Sequence, residues 1–368
     1  MIRKLISALV LVLLLSATVH AQIKTLNGKT ISPAALDQFL ASQVGQTGLP
    51  GLSIAIINNG KIVYHRALGS ANLETHLPIN DQSIFEAASL SKTVFTYFVL
   101  RLVDQGFLNL DTPLYKYMPY EDISGDERYK LITARIVLDH TSGLPNWRTS
   151  DFADSIRHIT KGALYLKFKP GAAYAYSGEG YYYLSKVIAK LTNNDLTSLD
   201  TLFQKEVSIP LGLSHAWFSS NPFITSHKVI GYVDGKAIHR WPGSLPKQDS
   251  TWFGAAGGLH TEAVSYANFL IALMKGKGLT KKTASELFKV QVTLPADGNF
   301  DGDTGWGLGI GVRPGFKGTD YNHRGNNGNF QSYYRISRQE QSGYVFFTNC
   351  NQGGDFNERL EKFFLEGK

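Results

Sequence analysis

The sequence predicts an α/β (α+β) fold: one antiparallel sheet built from the N- and C-terminal segments, with flanking helices and a mainly helical domain inserted between them. Three observations lead there. Two β-rich runs flank Asn59-Gly60 in LSIAIINNGKIVYHRALG, a strong hairpin signal. Three more strand-like runs, GWGLGIGVR, GNFQSYYRIS and SGYVFFTNC, lie within residues 305–350. Between these two regions, Asp111 to Thr251 carries helical segments such as LITARIVLDH and GYYYLSKVIAKLTN and shows little strand alternation. The expected units are residues 22–110 with 290–368 for the sheet and 111–289 for the helical insertion.

Residues 1–21 read as a signal peptide. Arg3 and Lys4 precede the apolar stretch Leu5 to Ala17, and Val19 and Ala21 supply the small residues before a cut at Gln22. The expectation is an exported bacterial protein, periplasmic or secreted. No stable membrane anchor is expected, because no later segment offers the about 20 apolar residues that a spanning helix needs. The remaining 347 residues (368 − 21) can form one large or two interlocked domains. Cys350 is the only cysteine, so the chain must stand without an internal disulfide, and thiol catalysis is not expected. The formal charge of +7 is spread thinly. Its densest patch, Lys275, Lys277, Lys281 and Lys282, reads as a solvated helix edge, so no nucleic-acid partner is expected.

Further elements follow in order. SPAALDQFLASQVGQTG starts with a cap and a first-turn proline and reads as an amphipathic helix. EAASLSKTVFTYFVLRLVDQG is apolar nearly all round from Val94 to Val103, with Gly106 as its stop, and so belongs inside a domain. TEAVSYANFLIALMKG and NERLEKFFLEG supply two later helices.

The buried helix raises a chemical question, because it carries Ser89 and Lys92 three residues apart near its start. Positions i and i+3 share a helix face, and burial lowers a lysine pKa, so Lys92 can serve as a base toward Ser89. The helix N-terminus also favours the negative charge that develops during acyl transfer. A second match, Ser244 to Lys247, holds Pro246 and reads as a loop. Tyr176 sits in a glycine-punctuated loop ahead of a helix, where a phenol beside a lysine can pass a proton to a leaving group. His323, Gly325 and Gly328 mark the entrance to a strand that a substrate can approach closely, with the Asn326 N–H as one of two oxyanion donors. Metalloprotease, Walker-loop and zinc-cluster spacings are absent from the sequence, and neither metal nor organic cofactor is expected.

Taken in order, Ser89-Leu90-Ser91-Lys92, Tyr176-Ser177-Gly178 and His323-Arg324-Gly325 resemble the Ser-x-x-Lys, Tyr-x-Asn and Lys/His-x-Gly motifs of the class C β-lactamase and DD-peptidase superfamily of serine hydrolases. LDHTSGLP, AAGGLHT and GNFQSYYRI add to the likeness, which covers nearly all of the chain after residue 21. The resemblance implies the β-lactamase/transpeptidase-like fold with its active site in the cleft. It also implies Ser89 as the acylated nucleophile, Lys92 as its base partner and Tyr176 as the proton carrier. His323 opens the third motif, and the Ser89 and Asn326 amides form the oxyanion hole. The implied substrates are small esters or D-amino-acid peptides, with cell-wall peptides among the candidates. A penicillin-binding sensor with little turnover and a weak β-lactamase are the alternatives. Gly178 departs from the pattern, since glycine has no amide to offer the nucleophile network or an acyl amide. Glu179 beside it either caps the following helix or supplies a substitute contact.

Overall fold

The computed structural model describes residues 22–46, 48–148, 162–238, 252–295 and 301–367. The segment 1–21 and the match at Ser244 to Lys247 lie outside the described residues. Helix α1 (Pro33–Gln46) leads into strands β1 (Gly51–Asn58) and β2 (Lys61–Asn72). The Ser32 hydroxyl accepts the Ala35 N–H at 3.1 Å, as expected of a capping serine. Asn59 and Gly60 take φ of 50° and 67°, the two left-handed residues that a tight hairpin turn with right-twisted strands requires. Short strands β3 (Leu77–Pro78) and β4 (Phe85–Glu86) precede helix α2 (Ser91–Asp104). Helix α3 (Gly178–Leu191), strands β5 (Ala216–Trp217) and β6 (His260–Thr261) and helix α4 (Ala263–Lys275) follow. The C-terminal part holds β7 (Val292–Thr293), β8 (Gly305–Trp306), β9 (Gly311–Gly315), β10 (Gly318–Asn326), β11 (Gln331–Ser337), β12 (Ser342–Thr348) and helix α5 (Gly353–Glu366).

The main sheet runs in the order β7-β8-β9-β10-β11-β12-β1-β2-β3, with every neighbour antiparallel. The two ends of the chain meet at its centre, where Gly343 lies opposite Ile57 and Thr348 opposite Leu52. Strand β1 is buried along its whole length because both faces of the sheet are covered. Leu52, Ile54 and Ile56 join the cluster formed with α1 and α5, where Phe39 stacks on Phe363 at 4.4 Å. Ala55 and Ile57 point the other way, into the larger cluster that contains α2, α3 and α4. Helix α4 comes from the middle of the chain and lies on the sheet: Tyr266 meets Phe347 edge-on at 5.6 Å, and the Ala263 N–H donates to Ser53 Oγ at 3.2 Å. A second, three-stranded sheet in the order β4-β6-β5 places the approach to α2.

Two sequence expectations change here. The buried helix begins at Ser91, because Phe85 and Glu86 pair with β6 and a 3₁₀ turn, Ala88–Leu90, follows. GWGLGIGVR is two strands, not one. Its middle turns at Gly309 (φ 66°) to meet α2, where Thr93 Oγ1 donates to the Gly309 carbonyl and the Gly309 N–H donates to the Leu138 carbonyl, each at 2.8 Å.

A Cβ at position 309 would lie 2.1 Å from Thr96 Oγ1 and 3.2 Å from the Lys92 carbonyl. Gly309→Ala is therefore expected to lower stability by about 1–3 kcal/mol through overpacking and left-handed strain, read as a lower denaturant midpoint with an unchanged slope.

Candidate active site

Ser89 occupies the 3₁₀ turn just ahead of α2, half-buried, and the residue before it is strained. Ala88 has φ of 48°, a left-handed conformation that costs an alanine about 1–2 kcal/mol. The surroundings hold it there. The Ala87 N–H donates to the Leu259 carbonyl at 2.8 Å, the Leu259 N–H donates to Ser91 Oγ at 2.9 Å, and Ser91 Oγ–H donates to the Ala88 carbonyl at 2.5 Å. Ser332 Oγ–H, from β11, donates to the Ala87 carbonyl at 2.8 Å. Gly325 on β10 lies under the same turn, where a Cβ would come within 2.5 Å of the Ala87 carbonyl and 2.2 Å of Ser332 Oγ. Only glycine lets the strand come this close.

Lys92, on the first turn of α2, is 1% exposed. Its Nζ donates to Ser89 Oγ at 3.2 Å and to the Ala256 carbonyl at 2.6 Å. It also lies 4.7 Å from the Tyr176 ring centre and 5.5 Å from that of Tyr181. Among the described residues no carboxylate acts on it, and burial pushes the ammonium pKa down to about 7. The Tyr176 oxygen is buried without a formed hydrogen bond. Burial raises the phenol pKa far more than the adjacent Ser89 hydroxyl lowers it. Lys92 is thus the group poised to exchange a proton near neutrality, with Tyr176 protonated beside it.

His323 is buried on β10, its ring 6.2 Å from that of Tyr176. Its Nδ1 lies 2.8 Å from the Arg324 carbonyl, which can only accept, so Nδ1 carries the proton and Nε2 is left as a buried acceptor without a partner. Burial and the nearby Lys92 charge push its pKa down to about 3 against that carbonyl, so His323 is neutral at physiological pH. Gly325 and Asn326 follow on the strand. Asn326 is exposed at its end, opposite Gln331, and its Oδ1 accepts the Gly328 N–H at 2.7 Å.

Two residues that the motifs did not single out complete the enclosure. His140, from LDHTSGLP, brackets the tyrosine: its carbonyl accepts the Ala175 N–H at 2.8 Å, its Nδ1 accepts the Ser177 N–H at 3.1 Å, and its ring lies 4.2 Å from that of Tyr176. Burial, with the nearby Lys92 charge, holds its pKa well below the usual range. Trp306 on β8 lies between the two histidines, 5.5 Å from His140 and 5.3 Å from His323. His140 Nε2, Trp306 Nε1, His323 Nε2 and Tyr176 Oη are all buried and unpaired. The signature around His140 was legible in sequence, but its bracket of Tyr176 is a long-range contact; no local pattern marked Trp306.

Gly178 opens α3. The helix cap is Ser177, whose Oγ accepts the Gly180 N–H at 3.0 Å, whereas Glu179 pairs with Arg148 Nε at 3.0 Å; the expected cap role for Glu179 therefore gives way to an ion pair. A side chain at 178 has no room: its Cβ would lie 2.7 Å from the Trp147 indole and 2.9 Å from the Asn146 carbonyl. A cavity of about 310 Å³ lies elsewhere, between the β9–β10 hairpin and α5, lined by Arg313, Phe316, Arg335, Glu361 and Phe364 among others. It touches none of the groups above, so the convergence of side chains defines the candidate site. Among the described residues, no cluster of His, Cys, Asp and Glu could hold a metal ion, and no helix is long and apolar enough to cross a membrane.

A family model described as Beta-lactamase matches residues 36–365. The chain belongs to the Beta-lactamase family. Relatives within reach of sequence comparison include Protein flp of Staphylococcus aureus (strain MW2), 26% identical over 208 residues that cover 55% of this chain and 41% of that protein. Esterase EstB of Burkholderia gladioli is 29% identical over 226 residues, 55% of each chain, so this chain spans only about half the length of the curated relatives it matches. Among solved structures, the octameric penicillin-binding protein homologue from Pyrococcus abyssi superimposes with a TM-score of 0.69 at 22% identity, covering 86% of this chain and 73% of that one. The crystal structure of SurE gives 0.72 at 23% identity, covering 91% and 75%. These structures share the Beta-lactamase family fold, the mixed α/β architecture expected from the sequence.

The fit between Gly178 and Trp147 is testable by stability alone. Gly178→Ala is expected to destabilise the protein by about 1–3 kcal/mol, and to cost much less when introduced into a Trp147→Ala background. Additive losses in chemical denaturation would show that the indole does not fill the place of the missing side chain.

Proposed function

We propose that the protein is an exported serine hydrolase that acts through a Ser89 acyl-enzyme on ester or amide substrates of the D-amino-acid peptide type. The observation that carries the reading is the buried Lys92 ammonium 3.2 Å from Ser89 Oγ, with a pKa pushed down to about 7 and no carboxylate among the described residues to hold its charge. Neutral Lys92 takes the hydroxyl proton as Ser89 Oγ attacks the acyl carbonyl carbon. The N–H groups of Ser89 and Asn326 hold the oxyanion. The proton returns from Lys92 through Tyr176 to the leaving oxygen or nitrogen as the acyl bond breaks. Water then attacks the Ser89 ester, its proton passes through the same pair to the departing Ser89 oxygen, and the acid and the free hydroxyl are released. The cleft in this scheme lies between the sheet unit, residues 22–110 with 290–368, and the helical unit, residues 111–289, because Tyr176 comes from the second and Ser89 and His323 from the first.

Three features bear on substrate and place. EstB, by name an esterase, is among the relatives, which supports ester cleavage. Gly178 leaves no side-chain amide to recognise an acyl amide, and neutral His323 gives the third motif no fixed positive charge, so simple esters are favoured over β-lactams. Export rests on Arg3, Lys4, the stretch Leu5 to Ala17 and Ala21.

The direct test is release of p-nitrophenol from p-nitrophenyl butyrate by the protein from Gln22 onward, beside Ser89→Ala. Turnover that falls at least about 10³-fold in the variant is the expected result, in line with loss of a nucleophile. Equal rates in both would overturn the assignment of Ser89. Stoichiometric labelling by penicillin without release or ester turnover would replace the hydrolase with a slow acyl acceptor.

The pH profile follows from Lys92. kcat/KM is expected to fall as pH drops below about 7, where the base becomes protonated, and a profile flat to pH 5 would contradict Lys92 as the base. Stability follows the same linkage, because the unfolded chain binds the Lys92 proton more tightly than the folded one. A lysine depressed in the folded state destabilises fully below pH 7, and the penalty fades as pH rises toward its unfolded value of about 10.4. Relative to Lys92→Met, the parent should therefore gain stability between these two pH values.

A further inference from the structure

The two amides proposed as oxyanion donors belong to segments far apart in sequence, and one side-chain contact joins them. Glu86 ends β4, three residues before Ser89, and Asn327 follows Asn326 in the turn between β10 and β11. Asn327 Nδ2 donates to Glu86 Oε2 at 2.6 Å. The other oxygen, Oε1, is paired with Lys228 Nζ. Lys228 is delivered by chain pairing, since Ile84 bridges Lys228 in parallel, the Ile84 N–H donates to the His227 carbonyl at 2.9 Å and the Val229 N–H donates to the Ile84 carbonyl at 3.0 Å.

Both ends of the contact are fixed by backbone. Glu86 lies opposite His260 in the β4–β6 pair. The Asn327 N–H donates to the Phe330 carbonyl at 3.0 Å, closing the turn. The Asn327 Oδ1 sits 3.7 Å from the place of a Cβ on Gly257, a point itself 3.9 Å from the Ala88 carbonyl. Gly257 follows Ala256, whose carbonyl receives Lys92. The amide of Asn327 thus wedges together the nucleophile turn, the loop that receives Lys92 and the end of β10.

We infer that the Glu86–Asn327 hydrogen bond is the positioning element of the acyl-transfer site, setting the gap between the Ser89 and Asn326 N–H groups. The inference rests on the serine-hydrolase reading. A half-buried carboxylate tied to a cation on one side and an amide on the other is held at both oxygens, and a link held at both ends suits a gap that must match an oxyanion to within a few tenths of an ångström. Neither residue touches the reacting atoms; both act through the backbone beside them.

The test is a double-mutant cycle on ester turnover, with Ser89→Ala as the reference for the reading itself. Glu86→Ala and Asn327→Ala are each expected to lower kcat about 10-fold with KM changed less than about 2-fold, because the lost contact serves the transition state. The double variant should be no worse than about 3-fold below the weaker single, the signature of two residues acting as one unit. Glu86→Gln separates positioning from folding: it loses the Lys228 ion pair yet keeps an acceptor for Asn327. It is expected to recover kcat to within about 3-fold of the parent while its melting temperature stays low. Multiplying single effects, unchanged kcat in both singles while Ser89→Ala is inactive, or a Gln variant as slow as the Ala variant would each overturn the inference. An active Ser89→Ala protein would instead remove the reading beneath it.

Discussion

A lysine side chain taken out of water, with no carboxylate among the described residues to meet it, governs the rest of this structure. The Lys92 ammonium has a carbonyl, a hydroxyl and the faces of two tyrosines for company, and none of these repays the full cost of burying charge. The cost appears as a pKa near neutrality, and a lysine that sheds its proton near neutrality is a usable base. To impose that burial, α2 is apolar on nearly every side and sits in the centre of the larger hydrophobic cluster. The surrounding helices and the sheet can therefore be understood as what keeps water away from one nitrogen.

The same constraint sets the backbone. Ser89 must face Lys92 from outside the helix proper, which requires the left-handed residue Ala88, and the strain there is held by bonds from Leu259, Ser91 and Ser332. Close approach does the remaining work. Gly325 lets β10 lie under the turn, and Gly309 lets the β8–β9 turn touch α2. Each contact joins segments more than 200 residues apart, so the site is assembled at the point where the two ends of the chain and the middle converge.

Electrostatically the enclosure is unusual in holding its bases neutral. His140 and His323 are depressed by burial and by Lys92, while Tyr174, Tyr176 and Tyr181 are raised by burial. In the proposed mechanism one movable proton on Lys92 then suffices, and the neighbouring groups neither compete for it nor neutralise it.

Much of this was written locally and could be read there. The Ser-x-x-Lys spacing, the Asn59-Gly60 turn, the apolar wrap of α2 and the strand alternation near the C-terminus depend on residues within one or two turns of each other, and they determined the fold class, the family and the residues to examine. Tertiary structure alone decided what those residues meet. The helix starts at Ser91 because Glu86 is claimed by a strand pair with His260, and Gly178 is bare because Trp147 occupies its side-chain space. His140 brackets Tyr176 across some 36 positions, and Asn327 reaches Glu86 across 241. The physical reason is one of range: periodicity and turn chemistry act over a few residues and leave a mark in sequence, whereas steric exclusion and desolvation act between whichever segments the packed core brings together.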